Sequence, residues 1–366
     1  MAPPDRAPWI VLCETDRRRW GGDLRRAAIF HELAVRTGAL EVQGWGHDSV
    51  RQAVRHVAGP PFPWRRRPFV ATSEFLSEGA ITQVRRTARP AVLDVHDHPI
   101  AQTEALGRTL EPAVRASLQA RLDRNLAMFP LLSVPSASFA ALAGLDPGRS
   151  IVAPNGSDTT VVRPLPLPAQ PAIGMVSGAA EGRGIETLVA AARLVRATRP
   201  DVRLLLWLAS ADDASEAYVA GLREDVAGEP WIEIAAADHA ALGEALGRAT
   251  VLVVPHPATT YMDVAVPVKL LDSMAAGRPL VVTPRTETRR IVEAAAAGVV
   301  VADDSAEALA GGIGAILDDP GLASRLAANG RAAAERDFDW AVIGRRLTTK
   351  VLERLGPGGG GGPRGG

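Results

Sequence analysis

Four scarcities set the first limits on this chain. Cys13 is the single cysteine among 366 residues, so there is no disulfide framework, and a reducing cytoplasm is the expected compartment. No segment reaches the ~18 consecutive apolar residues of a membrane span. The apolar run WIVLC (residues 9–13) is too short for the core of a signal peptide. Net charge is zero, with 41 basic and 41 acidic residues, which leaves no field to draw the protein to nucleic acid. Lysine is the fourth shortage: Lys269 and Lys350 stand against 39 arginines. A lysine kept in so arginine-biased a chain hints at a position that needs a compact ammonium.

What is present points to two domains. A chain of this length exceeds one ordinary core. Charge divides unevenly, since residues 1–163 hold 21 Arg against 16 Asp and Glu, a mildly basic first half. Apolar runs at Trp9–Cys13, Leu40–Gln43, Phe69–Thr72, Ala91–Val95, Leu131–Val134 and Ile151–Ala153 alternate with helical patterns, the signature of βαβ units and a parallel sheet. RPLPLPAQP (163–171) holds four prolines and reads as a stiff linker. The alternation then restarts, with strands expected at Ile173–Val176, Val202–Leu208, Trp231–Ala235, Thr250–Val254, Leu280–Thr283 and Val299–Val301. The expected division is 1–162, linker 163–171, 172–338, a closing helix at 339–355 that crosses back to the first domain, and a disordered Gly-rich tail at 356–366. Two doubly wound sheets joined in this way are expected to face each other across a cleft.

Five segments could carry chemistry. In RRRWGGDLRR (17–26), Gly21 and Gly22 follow the first strand and allow close backbone approach to an anion, although the GxGxxG fingerprint is absent. LDVHDHP (93–99) places His96, Asp97 and His98 at a strand end. In an extended strand His96 and His98 share a face, and Asp97 or His98 could meet sugar hydroxyls or an acceptor. No second Cys/His cluster supports a metal. SGAAEGRGIETL (177–188) offers a glycine loop with Gly178 at its start and Arg183 to supply charge. In the helix opening at Val268, Lys269 and Asp272 lie three apart and share a face; the ammonium could neutralise a diphosphate leaving group and the carboxylate could accept ribose hydroxyls. PPFPWRRRPF (60–69), around Trp64, is either a solvated loop or a point of peripheral membrane contact.

These residues resemble glycosyltransferase family 4, retaining nucleotide-sugar enzymes of the GT-B fold. IVAPNGSD (151–158) is similar to the boundary motif of the family. The stretch 173–208 looks like its strand, phosphate loop, helix and strand, and PVKLLDSMAAGRPLVVT (267–283) resembles its donor segment. The resemblance implies an α/β fold of two Rossmann-like domains, with the acceptor on the first domain, the nucleotide sugar on the second, and no metal or other cofactor. It implies Arg183 and Lys269 at the diphosphate, Asp272 at the ribose, and Gly21 and Gly22 approaching the donor phosphate. Gly178, Asp263, Val268 and Leu270 complete the donor-binding set, and Asp97 and His98 join Lys269 and Arg183 as catalytic candidates. The chain departs from the pattern in three places. Val264 stands eight before Asp272, where a glutamate is usual, with Asp263 nine before. Gly178 or Ala179 replaces a phosphate-loop arginine, and Arg290 replaces a glutamate. The rival readings are a nucleotide-sugar epimerase and a catalytically weakened paralogue that serves a partner transferase.

Overall fold

The computed structural model describes residues 10–13, 26–37, 40–43, 67–72, 88–210, 212–237 and 241–356. They belong to two units, one of Met1–Ile100, Leu110–Pro154 and Trp340–Gly366, the other of Ala101–Thr109 and Asn155–Asp339. Gly21, Gly22, Trp64 and the tail 357–366 lie outside the described residues.

In the first unit, β1 (Ile10–Cys13), β2 (Leu40–Gln43), β3 (Arg67–Ala71), β4 (Ala88–Asp94), β5 (Leu131–Val134) and β6 (Ser150–Val152) form a parallel sheet in the order β2-β1-β3-β4-β5-β6. A 3₁₀ turn at Ala27–Phe30 leads into α1 (His31–Thr37). Next comes α2 (Pro99–Ala105), which belongs to the second unit from Ala101 on, and then α3 (Pro112–Met128) and α4 (Ala137–Leu142) of the first. Ile29, Phe30 and Leu33 bury against Val70, Val92 and Ile151 of the sheet. The same core takes Trp340, Ile343, Leu347 and Val351 from the last helix, Trp340–Leu355. Those four recur at helical spacing as one apolar stripe, with Leu352 and Leu355 packed beside it. Gly344 on this helix has no room for a side chain, because a Cβ would stand 2.8 Å from the Ile29 carbonyl oxygen.

Beneath that core lies a charge pair. Arg26, 1% exposed, gives hydrogen bonds from Nε to Asp94 Oδ2 at 2.6 Å and from Nη2 to Oδ1 at 2.9 Å. Burial alone would raise the Asp94 pKa, but Arg26 and the neighbouring His96 outweigh it and hold the carboxyl at about 2. Arg26 closes the RRRWGGDLRR motif, and the structure shows it as an internal brace of the sheet.

The second unit carries β7 (Ala172–Gly178), β8 (Arg203–Ala209), β9 (Ile232–Ala236), β10 (Val251–Val254), β11 (Leu280–Val282) and β12 (Gly298–Val300), again all parallel. Their order is β12-β11-β10-β7-β8-β9. The helices are α5 (Ile185–Thr198), α6 (Asp213–Asp225), α7 (Leu242–Gly247), α8 (Thr260–Val264), α9 (Val268–Ala275), α10 (Thr286–Ala295), α11 (Ala306–Asp318) and α12 (Pro320–Ala333), with a π turn at Ala334–Phe338. Successive strand residues point to opposite faces. Ile173, Leu204, Leu206, Val251 and Val253 enter one core with α5 and α11. Ala172, Leu205, Trp207, Leu252 and Val254 enter the other with α9 and α10. A sheet covered on both faces reads as unbroken apolar runs such as RLLLWLA, and each fully buried aliphatic contributes about 1.5–3 kcal/mol.

The proline segment 163–171 holds neither helix nor strand. It lies in the second unit, where Leu165 fills the space beside Gly247 and the Pro166 carbonyl accepts from Arg278 Nη2 at 2.9 Å.

Candidate functional site

From β7 the second sheet grows one way through β8 and β9, while β10 to β12 lie on its other side. The loops leaving the carboxyl ends of β7 and β10 therefore diverge and open a crevice at the sheet edge, where such sheets bind ligands. The loop after β7 turns through Gly182 and Gly184, at φ +71° and +76°, a left-handed conformation that glycine alone adopts cheaply. A Cβ on Gly184 would overlap the Pro255 carbonyl. Glycine thus brings the start of α5 against the loop after β10.

Helix starts add a second feature. Asp212, Thr259, Ser305 and Asp319 cap α6, α8, α11 and α12 with side-chain acceptors. α5, α9 and α10 begin at Gly184, Pro267 and Arg285 without one, as does the short α7. The first three open on loops that follow β7, β10 and β11, so their N–H groups and dipoles favour an anion at this edge.

Lys269 stands in the first turn of α9, and its Nζ donates to Ser177 Oγ at the end of β7, 3.0 Å away. No carboxylate pairs with it among the described residues. Burial, and after it the positive charge of Arg183, holds its pKa well below 10.5. The buried ammonium of Lys269 therefore sits in the positive field of Arg183, an arrangement that an arriving anion would stabilise.

The segment after β6 fixes α9 from behind. Asn155 Nδ2 donates to the Val266 carbonyl at 2.7 Å, and Ser157 Oγ donates to Asp272 Oδ1 at 2.7 Å. Arg331 of α12 gives hydrogen bonds to the carbonyls of Ala275 (2.6 Å), Val162 (2.7 Å) and Thr159 (3.0 Å). Asp272 is 3% exposed, held on the buried side of the helix that presents Lys269. Leu270 is fully buried and its N–H donates to the Pro267 carbonyl at 3.1 Å; Val268 is partly buried at the helix start.

Asp263 meets Arg285, with Nη1 to Oδ1 at 3.4 Å, and Arg285 Nη2 donates to Asp304 Oδ1 at 2.6 Å. Asp304 Oδ2 in turn accepts from the Ala258 N–H at 2.6 Å. This chain of contacts ties the loop after β10 to those after β11 and β12. Two more residues of the edge escaped the sequence reading. Glu287, buried at the start of α10, accepts from Arg290 Nε at 2.9 Å, so the arginine found in a glutamate's place brings a carboxylate with it. His256, directly after β10, is buried among Lys269, Arg183 and Arg285. A lone histidine closing a buried strand was the available signal.

In the first unit, β4 ends at Asp94, and residues 95–98 form an irregular turn. Strand alternation therefore does not govern His96, Asp97 and His98, contrary to the shared face expected for the two histidines. His96 Nδ1 lies 3.2 Å from the buried Asp94 Oδ2, and Asp97 and His98 are partly exposed in the turn. No three His, Cys, Asp or Glu side chains converge as metal ligands among the described residues, and no described helix is long and apolar enough to cross a membrane.

Two parallel α/β sheets of this kind define the GT-B fold, and solved structures of that class match the whole chain. HepE (Alr3699) of Anabaena in complex with UDP-glucose aligns at TM-score 0.74 and 15% identity, covering 95% of this chain and all of that one. Sucrose-phosphate synthase (tll1590) from Thermosynechococcus elongatus aligns at 0.67 and 16%, covering 95% and 98%. A glycosyltransferase from Rickettsia africae aligns at 0.65 and 12%, covering 95% and 98%. At such identities the likeness shows the fold. No curated protein sequence matches the chain. Residues 170–319 match the sequence model of the glycosyl transferases group 1 family, a stretch that runs from the start of β7 to the end of α11. The chain has the GT-B fold, and its second unit carries a stretch that matches the glycosyl transferases group 1 family.

Proposed function

We propose that the protein transfers a sugar, with retention of anomeric configuration, from a nucleoside-diphosphate sugar to an acceptor that is a glycan, a lipid or a natural product. The observation that carries this reading is Lys269, held by Ser177 and facing the charge of Arg183, at a sheet edge where three helices start without side-chain caps. Charge accumulates on the leaving diphosphate as the glycosidic bond breaks, and fixed cations and helix amides stabilise it there without reorganising. Lys269 and Arg183 take the diphosphate. Asp272, fixed by Ser157, anchors the ribose, and Asp263, Gly178, Val268 and Leu270 complete the donor contacts. The first unit takes the acceptor, with Asp97 and His98 at the end of β4 as the groups nearest to acceptor chemistry. Transfer needs no metal, and the protein works in the cytoplasm.

HepE was solved with UDP and with UDP-glucose, so UDP is the first nucleotide to try. Calorimetry against UDP, dTDP and GDP without added metal tests the reading, with micromolar binding of one nucleotide expected. Silence with all three would overturn it. That result would favour a non-catalytic paralogue, a reading to which the engagement of Asp263 by Arg285 lends support.

A further inference from the structure

His256 is 2% exposed, yet neither of its ring nitrogens has a hydrogen-bond partner among the described residues. Buried polar atoms in folded proteins are almost always paired, and an orphaned one calls for a reason. Imidazole carries one donor and one acceptor when neutral, so both capacities of this ring are idle. Its backbone gives no such reason: the His256 carbonyl accepts from Thr283 Oγ1 at 2.6 Å, and any residue could supply that oxygen. Two other atoms of the same edge share the condition, Arg285 Nε and Thr288 Oγ1, both carried by the segment that follows β11. The loop after β10 is held still around the ring. Gly184 closes on Pro255, and Asp304 fixes the Ala258 N–H.

Burial, and after it the positive charges of Lys269 from α9, Arg183 from the loop after β7 and Arg285 from the start of α10, hold the ring's pKa well below 6.5. Arg285 is itself paired with Asp263 and Asp304. A neutral polar ring enclosed by cations, with hydrogen-bonding capacity unspent, suits a site for an anion. We infer that His256 is a binding residue of the donor site, its imidazole hydrogen-bonding an anionic diphosphate oxygen of the nucleotide sugar alongside Lys269 and Arg183. The inference rests on the donor reading of this edge and adds a contact that is neither charged nor part of a helix start. In a desolvated enclosure such a bond is stronger than in water, and a histidine can hold it without adding a fourth cation.

The experiment compares wild type with His256→Phe and His256→Gln by calorimetry against pyrophosphate and against UDP, dTDP and GDP. Thermal unfolding and ¹⁵N spectra of ring-labelled histidine accompany it. Phenylalanine fills the same space and removes two unpaired atoms, so its melting temperature should equal or exceed that of wild type, while affinity for pyrophosphate falls at least tenfold. Glutamine, which keeps a donor and an acceptor, should recover part of that loss. The ring resonance absent from both variants should move when pyrophosphate binds to wild type. Unchanged affinity in His256→Phe together with an unmoved resonance would overturn the inference, while a nucleoside diphosphate bound by both proteins would leave the donor reading standing. Should His256→Phe unfold, the wild-type resonance decides alone. Pyrophosphate bound through His256 with no nucleotide bound would keep the anion contact and sink the donor reading.

Discussion

Lys269→Met separates the demands of function from those of folding. Methionine keeps the length of the stem and removes the ammonium. In the protein without donor, that ammonium is desolvated and faces the Arg183 charge, so its removal relieves both penalties and the melting temperature should hold or rise. Turnover should fall. At ~4 Å and an effective dielectric of about 20, an ammonium and a unit negative charge attract by about 4 kcal/mol. The diphosphate is already anionic when the donor binds, so only the charge that grows during transfer counts towards rate. Assigning half the attraction to it gives about 2 kcal/mol, roughly a thirtyfold loss in kcat. The remainder should appear as weaker donor binding. Coupled detection of released nucleoside diphosphate reads the rate, and thermal unfolding reads the fold. Stability against pH supplies an independent arm. With its folded pKa pushed below 10.5, Lys269 binds fewer protons in the folded than in the unfolded chain. Wild type should therefore gain on Lys269→Met as pH climbs from that lowered value towards 10.5. Turnover within threefold of wild type in a folded variant would refute the role given to Lys269.

Two further perturbations test the scaffold. Gly184→Ala must place a side chain at φ +76° and against the Pro255 carbonyl. Left-handed backbone alone costs about 1–2 kcal/mol, so a larger loss is expected in urea titration, and a variant as stable as wild type would contradict the close approach. Asp94, held at about 2 rather than 3.8, contributes about 2 kcal/mol that is fully present above pH 3.8 and lost as pH falls through 2. Urea midpoints of wild type and Asp94→Asn should therefore converge in acid, and curves that stay parallel would refute the pairing with Arg26.

Most of the sheet framework could be read in advance because parallel strands covered on both faces write themselves as apolar runs: VLVV and RLLLWLA have no other comfortable state. α6 escaped because only Ser215, Val219 and Leu222 of it are buried, too few to print a period. Its legible mark was the reciprocal cap between Asp212 and Ser215. α8 is five residues long, below the length at which periodicity speaks. The candidate site divides along the same line. Lys269 and the glycines of the loop after β7 lie on single segments with their own local logic. Arg285 draws its meaning from Asp263 and Asp304, and His256 from cations on three separate loops. Such meanings arise only when the chain folds and brings distant segments together.

The last helix has a consequence for how the chain is made. Trp340, Ile343, Leu347 and Val351 belong to the core built around Ile29, Phe30 and Leu33, so a stretch made early waits for one made much later before its interior is sealed. At about 5–20 residues per second, the intervening sequence takes roughly fifteen to sixty seconds to synthesise. Through that interval the unit that begins first is the one left open, while most of its neighbour arrives as an unbroken stretch and can close ahead of it. Birth order and completion order are reversed, and the half-built first sheet is where a chaperone would find exposed apolar surface to hold.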